Sequence, residues 1–372
     1  MSPRHHLIII LIFSFFAIGL IYFSWSSATK AIEDSIDAVE LTLPIANDKK
    51  TKLVARTVKG IYITAYTAGN AKKLNALIEL IDKTELNAVV VDIKDYSGKV
   101  LYDSVLPIVN DLRTKDVRIR DAVALTKKLR EHNIYSIARQ TVFQDPILAE
   151  NKNEWAIRNK SGGVWRDNLG LAWVDPTQKK VWDYNIEIAK EAVALGFDEI
   201  NFDYVRFPSD GDMRQVKYAS STNKNEVMKQ FFHYLDEQMK TEPVWISLDM
   251  FGFVMERHDG LNIGQKLADA VDSADYISPM MYPSHYPKNH LGFANPAEHP
   301  AEIIDNGARL GMPNFIGHRA KFRPWIQAFN LGAKYDAAKI RAQIDTVEKY
   351  TDAGWLMWNA GNKYTDAGLK VE

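Results

Sequence analysis

The residues Phe197–Pro208 combine an apolar face with a polar face that ends in a carboxylate. Side chains alternate along this run with the period of a β-strand, apolar at Ile200, Phe202 and Tyr204, polar at Glu199, Asn201 and Asp203. A buried polar strand face is costly unless its groups are paired, so such a face usually lines a site. We therefore expect chemistry at Asp203. The alternative is a purely structural ion pair between Asp203 and Arg206 or another cation at the barrel mouth.

A second aspartate ends a similar run, Trp245–Met250, in which Trp245, Ser247 and Asp249 share one face. Neighbouring strands lie about 4.8 Å apart, so Asp203 and Asp249 could approach at the separation that glycoside hydrolysis requires. That reaction uses one protonated and one ionised carboxyl group, and crowding of like charges separates their pKa values. The alternative is that Asp249 only pairs with an arginine: Arg139, Arg206 or Arg319.

Other predicted strand ends contribute Asp92, Lys94 and Arg139. Asp92 is the reserve candidate for the acid, and Arg139 and Arg206 are expected to orient or ionise the carboxylates and to contact substrate. Lys94 shares the inward parity of Asp92, which makes it a further candidate contact for substrate. A Schiff-base lysine, as in a barrel lyase, is the alternative for Lys94.

Aromatic side chains near the predicted strand ends favour a sugar ligand. The C–H faces of sugar rings pack on aromatic rings, and loops after barrel strands collect binding residues. A single tryptophan is more often part of a core, so only the grouping has weight. We predict substrate contacts from Trp165, which is grouped with Trp155 and Trp173, and from Tyr282, His285 and Trp358.

A scaffold must position these residues. From Lys59 onward, extended apolar runs alternate with amphipathic helical runs. This pattern predicts an α/β fold, a single (β/α)8 TIM barrel over residues 59–372. An open doubly wound sheet is disfavoured because no Gly-x-Gly-x-x-Gly follows the first strand. The predicted strands are Gly60–Thr67, Ala88–Lys94, Ile134–Phe143, Glu199–Phe207, Val244–Phe251, Tyr276–Tyr282, Asn314–Arg319 and Trp355–Asn359. The predicted helices are Ala71–Lys83, Arg120–His132, Gln178–Leu195, Glu226–Lys240, Gly264–Val271, Ala301–Leu310 and Ala337–Thr351.

Composition excludes several classes of function. With 46 Lys and Arg against 47 Asp and Glu, there is no broad basic field for nucleic acid. The absence of cysteine removes thiolate nucleophiles and zinc–thiolate sites. No His-Glu-x-x-His and no Gly-x-Ser-x-Gly is present, so we predict neither a metal, a cofactor nor a serine nucleophile.

The amino-terminal residues predict the cellular location of the protein. Residues Leu7–Trp25 form an uncharged run long enough to cross a bilayer, preceded by Arg4. We expect residues 1–27 to be a membrane anchor and residues 28–58 a tether, with the following domain outside the cytoplasmic membrane. The alternative is a signal peptide cleaved near Ala28, which would make the protein secreted.

Four motifs together resemble a known family: Gly60–Tyr66, Asn87–Asp95, Glu199–Pro208 and Ser278–Pro283. The chain from about Lys59 onward is similar to a bacterial family of proposed glycoside hydrolase barrels, catalogued as a domain of unknown function. The resemblance implies a barrel related to the α-amylase-like glycosidases, with Asp203 as the catalytic aspartate of the fourth strand. Asn201 and Asp249 stand where amylases carry an arginine and a glutamate.

The sequence therefore predicts a membrane-tethered glycosidase that cuts an extracellular or periplasmic polysaccharide. Asp203 would be the nucleophile or base and Asp249 the acid. The competing hypothesis is a non-catalytic glycan-binding protein of the envelope, built on the same barrel. A barrel lyase or esterase is the third.

Overall fold

The computed structural model describes residues 52–220 and 223–371. The predicted anchor, Leu7–Trp25, and most of the tether lie outside the described residues. Among the helices of the described part, none is both long enough and apolar enough to span a bilayer.

Eight of the described strands close into a barrel of parallel strands. They are β1 Val58–Ile63, β2 Ala88–Lys94, β3 Tyr135–Thr141, β4 Glu199–Asp203, β5 Trp245–Phe251, β6 Tyr276–Met280, β7 Trp325–Gln327 and β8 Gly354–Trp358. The barrel closes because β1 pairs in parallel with both β2 and β8. This closure, with helices outside, confirms the predicted (β/α)8 barrel.

The longer helices follow strands at the positions where amphipathic runs predict them, with ends that shift by a few residues. They are α1 Ala71–Ile81, α2 Ala122–Glu131, α3 Lys179–Ala194, α4 Lys224–Met239, α5 Pro300–Gly311 and α6 Ala337–Val347. Side chains cap several starts; for example, Asp121 accepts a hydrogen bond from the Ala124 N–H at 2.8 Å. Apolar faces of these helices pack on the outward strand residues, which forms the main core.

Short elements decorate the connections between barrel strands. The short helices are Ala65–Ala68, Pro107–Asp111 and Pro146–Asn151. The short strands are Val100–Tyr102, Lys115–Ile119, Arg158–Asn159, Val216–Lys217 and Lys321–Phe322.

Two predicted elements are wrong. The seventh strand is Trp325–Gln327 and not Asn314–Arg319, where the chain forms a 3-10 turn and Gly317 takes a φ of 80° that no strand accommodates. The predicted helix Gly264–Val271 is absent as well. Gly264 has a φ of 83°, so only a 3-10 turn, Leu267–Asp269, forms there.

Polar groups inside the barrel are paired in layers. At the amino-terminal ends of the strands, Arg323 forms a doubly hydrogen-bonded ion pair with Glu199, and Tyr135 donates to Glu199 at 3.1 Å. One layer higher, Asn201 donates to the Ser247 hydroxyl at 2.9 Å. The inward face predicted for β4 is therefore correct, and its last residue, Asp203, lies at the carboxyl-terminal mouth.

Candidate active site

A cavity of about 410 Å³ opens at the carboxyl-terminal ends of the barrel strands. A volume of this size is typical of small-molecule sites. Its walls combine charged and aromatic side chains. The lining residues are Arg139, Asp203, Tyr204, Arg206, Asp249, Phe251, Met280, Tyr282, His285, Trp325, Phe329, Trp358, Asn359, Ala360 and Gly361.

The guanidinium of Arg139, at the end of β3, is the centre of the charged wall. Its Nη1 donates to Asp92 at 2.5 Å and its Nη2 donates to Asp203. Its Nε lies 3.8 Å from Oδ2 of Asp249. The three aspartates predicted from strand parity thus meet around one buried cation.

Asp203 is held in a fixed orientation by two donors. Its Oδ2 accepts from Arg139, and its Oδ1 accepts from the backbone N–H of Tyr204 at 2.5 Å. Tyr204 has a φ of 53°, a left-handed conformation that is strained for a residue with a large side chain. This turn ends β4 at Asp203 and directs the Tyr204 ring to the cavity, although strand parity predicted that ring to face outward.

Asp249 has a different environment from Asp203. Its Oδ1 accepts two hydrogen bonds, from Asn201 Nδ2 at 2.8 Å and from Trp325 Nε1 at 2.7 Å. Burial, and then the negative charge of Asp203, raise the pKa of Asp249 to about 8. Because Oδ1 faces two N–H donors, the proton of the neutral acid belongs on Oδ2.

Asp92 lies beside the cavity wall and not on it. It accepts hydrogen bonds from Arg139 and from the hydroxyl of Tyr62, each at 2.5 Å. Burial raises the pKa of Asp92, while the charge of Arg139 opposes the rise. Asp92 is thus placed to hold Arg139, and Asp249 is better placed than Asp92 to reach a ligand.

The aromatic wall contains three of the predicted contacts. Trp358 stacks on Tyr62 with ring centroids 3.9 Å apart. Tyr282 packs against His285 at 5.3 Å and against Phe329 at 5.7 Å. Burial lowers the pKa of His285, so its imidazole is neutral at pH 7. These side chains add flat apolar surface to the cavity that Asp203 and Asp249 also line.

Two predicted substrate contacts, Lys94 and Trp165, lie elsewhere. A register shift in β2 between Asp92 and Lys94 directs the lysine out of the lumen, where its Nζ pairs with Asp145 at 2.8 Å. Trp165 is buried in its own loop and donates to the Asp212 carbonyl at 3.1 Å. Both side chains are structural, so both predictions are wrong.

Arg206 lines the cavity, but it does not orient the carboxylates as predicted. Its Nη1 donates to the Phe207 carbonyl at 3.1 Å and to Ser209 Oγ at 3.2 Å. The cation that pairs with Asp203 is Arg139 and not Arg206, so the structural alternative takes the form of an ion pair with a different barrel-mouth cation.

Several lining residues were missed: Tyr204, Phe251, Trp325 and Phe329, with Tyr62 behind them. The parity of β5 could have identified Phe251, and the parity of β1 could have identified Tyr62. Trp325 was hidden because the seventh strand was misplaced. In residues 52–220 and 223–371 no group of three His, Asp or Glu side chains is arranged to hold a metal ion.

Comparison with known proteins agrees with this geometry. Residues 60–364 match a family model described as "Putative glycosyl hydrolase domain". The chain belongs to this family of glycosyl hydrolase domains. A search of curated protein sequences finds no match.

Solved structures extend the comparison. The glycoside hydrolase domain of PgaB (BpsB) from Bordetella bronchiseptica superposes with a TM-score of 0.60 at 11% identity, over 82% of this chain and 94% of that one. The α-galactosidase TtGalA from Thermus thermophilus gives 0.52 at 12% identity, over 86% of this chain and 65% of that one. A hypothetical protein from Ruminiclostridium thermocellum is 39% identical over 51% of this chain and 96% of its own, with a TM-score of 0.48. The first two share the barrel fold with this glycosidase.

Proposed function

We propose that this glycosidase cuts a polysaccharide outside the cytoplasmic membrane, with Asp203 and Asp249 as its catalytic pair. The observation that carries the proposal is that two carboxyl groups of one cavity have different environments. Asp203 forms an ion pair with Arg139, whereas burial raises the pKa of Asp249 to about 8. Glycoside hydrolysis requires this division between an ionised and a protonated carboxyl group.

In the proposed mechanism, Asp249 is the general acid. Its Oδ1 is occupied by the N–H groups of Asn201 and Trp325, so Oδ2 transfers its proton to the leaving glycosidic oxygen. Asp203 acts on the anomeric carbon, directly as a nucleophile or through a water molecule as a base. Arg139 holds both groups, and the positive charge developing on the sugar lies near Asp203.

The aromatic wall supports a sugar ring during this reaction. Trp358, Tyr282 and Phe329 present ring faces and edges within the same cavity as the carboxylates. Neutral His285 and Asn359 provide polar contacts for hydroxyl groups. The combination of flat apolar surface and a few polar groups is typical of a ligand pocket with defined orientation.

The direct test is the release of reducing ends from a panel of bacterial exopolysaccharides by the purified full-length protein. We expect at least one polysaccharide to be shortened, with an increase in reducing ends over time. Binding of glycans without release of any sugar would favour the non-catalytic alternative.

The pH dependence of kcat/KM provides a second test. An acid with a pKa of about 8 must be protonated to act, so we expect activity to fall as pH rises above about 8. The Trp325 N–H lowers the pKa of Asp249 by stabilising its charged form. Trp325→Phe should therefore move the alkaline limb of the pH profile, where kcat/KM falls, to higher pH.

Trp245→Phe is the matched control for this profile. Trp245 lies at the opposite end of the lumen and donates its N–H to the Leu53 carbonyl at 3.0 Å. Its replacement should leave the alkaline limb in place. A limb that stays fixed in Trp325→Phe, or moves to lower pH, would remove Asp249 from the role of acid.

We also propose that the enzyme is held at the membrane through residues 7–25. Apolar burial is not screened by salt, so the full-length protein should stay with the membrane fraction after a high-salt wash. Deletion of residues 7–25 should release it into the soluble fraction. Recovery of a shortened soluble protein that begins near Thr29 would instead identify a cleaved signal peptide.

A further inference from the structure

Arg206 is a buried cation without an anionic partner. It is 8% exposed, and it lies on the wall of the catalytic cavity. Throughout residues 52–220 and 223–371, no carboxylate oxygen lies within 4.0 Å of its guanidinium. Its guanidinium donates only from Nη1, to the Phe207 carbonyl and to Ser209 Oγ, so Nε and Nη2 have no acceptor among the described residues.

The guanidinium is held in place by aromatic rings. It lies 5.0 Å from the ring of Trp173, 5.3 Å from that of Tyr204 and 4.7 Å from that of Phe251. Trp173 is itself fixed, because its indole N–H donates to Asp167 at 2.9 Å. Packing among these rings therefore favours one orientation of the side chain.

Burial without a partner is costly for a guanidinium. Desolvation lowers the pKa of Arg206, and the charges of Asp203, Asp210 and Asp167 oppose this only in part. The carboxylates bonded to Arg139, in contrast, act to raise the pKa of that arginine. A buried charge usually has a counter-charge, and an arginine presents two parallel N–H groups that match a carboxylate or sulfate. A bound anion would supply the direct counter-charge that none of the described residues provides.

The charge of the cavity permits such an anion. The charge of Arg139 is taken up by Asp203 and Asp92, and Asp249 is neutral below about pH 8. Arg206 then adds a positive charge on the same wall, so a negatively charged sugar would not be repelled.

We propose that Arg206 binds an anionic substituent of the glycan, which makes the substrate of the proposed glycosidase an acidic polysaccharide. The substituent is a carboxylate or a sulfate on the sugar held in the cavity or on its neighbour. This inference rests on the proposed function for the nature of the ligand, but its test measures binding and does not depend on turnover.

The experiment uses acidic oligosaccharides and their methyl esters, which differ only in charge. Binding is measured by calorimetry with full-length protein carrying Asp203→Asn, so that no sugar is consumed. We expect esterification to weaken binding about tenfold or more, because hydrogen bonds to charged groups are strong. Adding Arg206→Gln should abolish the difference between acid and ester.

Two further variants control this result. Arg309→Gln removes a charge from an exposed arginine of α5 and should leave the preference for the acid intact. Arg206→Lys keeps the charge but loses the two parallel N–H groups of the guanidinium, so the preference for the acid over its ester should shrink without disappearing. It also provides a readout if Arg206→Gln does not fold. Sulfated oligosaccharides, offered alongside, identify which anion is preferred.

Equal binding of acid and ester by the Arg206-containing protein, or equal loss of both ligands in Arg206→Gln, would overturn the proposal. Failure of the proposed function looks different: hydrolysis is absent while the acid is still preferred over its ester. Conversely, hydrolysis of neutral glycans with no preference for acidic ones would support the proposed glycosidase function. It would contradict the proposed anion site at Arg206.

Discussion

Asp203→Asn is expected to lower kcat by at least about a thousandfold, which corresponds to roughly 4 kcal/mol in the activation barrier. The change keeps the size of the side chain and removes its charge, so it cannot serve as nucleophile or base. The fold should survive because Arg139 keeps its hydrogen bond to Asp92. The side-chain NH2 of the asparagine must face one of two donors, Arg139 or the Tyr204 N–H, while its carbonyl oxygen still accepts from the other. Because only one hydrogen bond is lost, we expect the melting temperature to fall by only a few degrees.

Asp210→Asn is the matched control for this variant. Asp210 is exposed in the loop that follows β4 and should tolerate the same substitution with unchanged activity and stability. Initial rates and thermal unfolding of the three proteins complete the test. A well-folded Asp203→Asn protein with undiminished hydrolysis would exclude Asp203 as a catalytic residue, and a severe loss of stability would assign it to the structure.

Arg139→Gln is expected to have the largest effect on stability. The substitution removes the cation shared by Asp92, Asp203 and Asp249 and leaves their carboxyl groups crowded and buried. Breaking a buried ion pair on one side typically costs about 3–5 kcal/mol, so we expect a loss of that size in the free energy of unfolding near pH 7. Hydrolysis should also be lost, since neither of the proposed catalytic groups, Asp203 and Asp249, keeps its position.

The loss should depend on pH in a defined direction. In the native protein the pKa values of Asp92 and Asp249 already lie above the usual value of about 3.9 for an unfolded chain. Removing Arg139 raises both further. A group with a raised folded pKa stabilises the protein below its unfolded pKa, and this contribution is lost as pH rises through the folded pKa. The deficit of Arg139→Gln should therefore be larger at pH 8, where Asp249 begins to ionise in the native protein, than at pH 5.

Urea unfolding at these two pH values measures the deficit. Arg309→Gln, which removes an exposed charge, should stay within about 0.5 kcal/mol of the native protein at both. A deficit that grows on acidification, or an Arg139→Gln protein as stable as the native one at pH 8, would contradict the shared-cation network.

Strand period was sufficient to predict most of the barrel. Alternation in β4 and β5 placed Asp203 and Asp249 on the inner face, and the same period located β2. The seventh strand could not be found this way, because Trp325–Gln327 is only three residues long and offers no alternation to count. The apolar residues before it instead form a turn, in which Ile316 is exposed.

The site was less predictable than the fold, because its details depend on departures from regular geometry. The register shift in β2 sends Lys94 to Asp145, and the left-handed Tyr204 reverses the side that its ring faces. Neither irregularity has a signature in residue types. Similarly, composition could not separate Trp165, which is buried in its loop, from Trp358, which faces the cavity.

The pairing of β1 with β8 has a consequence for biosynthesis. Val58 faces Gly354 across this seam, so the two strands are made at opposite ends of translation of the domain. Until Gly354–Trp358 has emerged, the nascent chain carries β1 as an open edge with unpaired N–H and C=O groups, an aggregation hazard. The same late strand carries Trp358. We therefore expect closure of the barrel edge and placement of Trp358 in the cavity to occur together, late in folding.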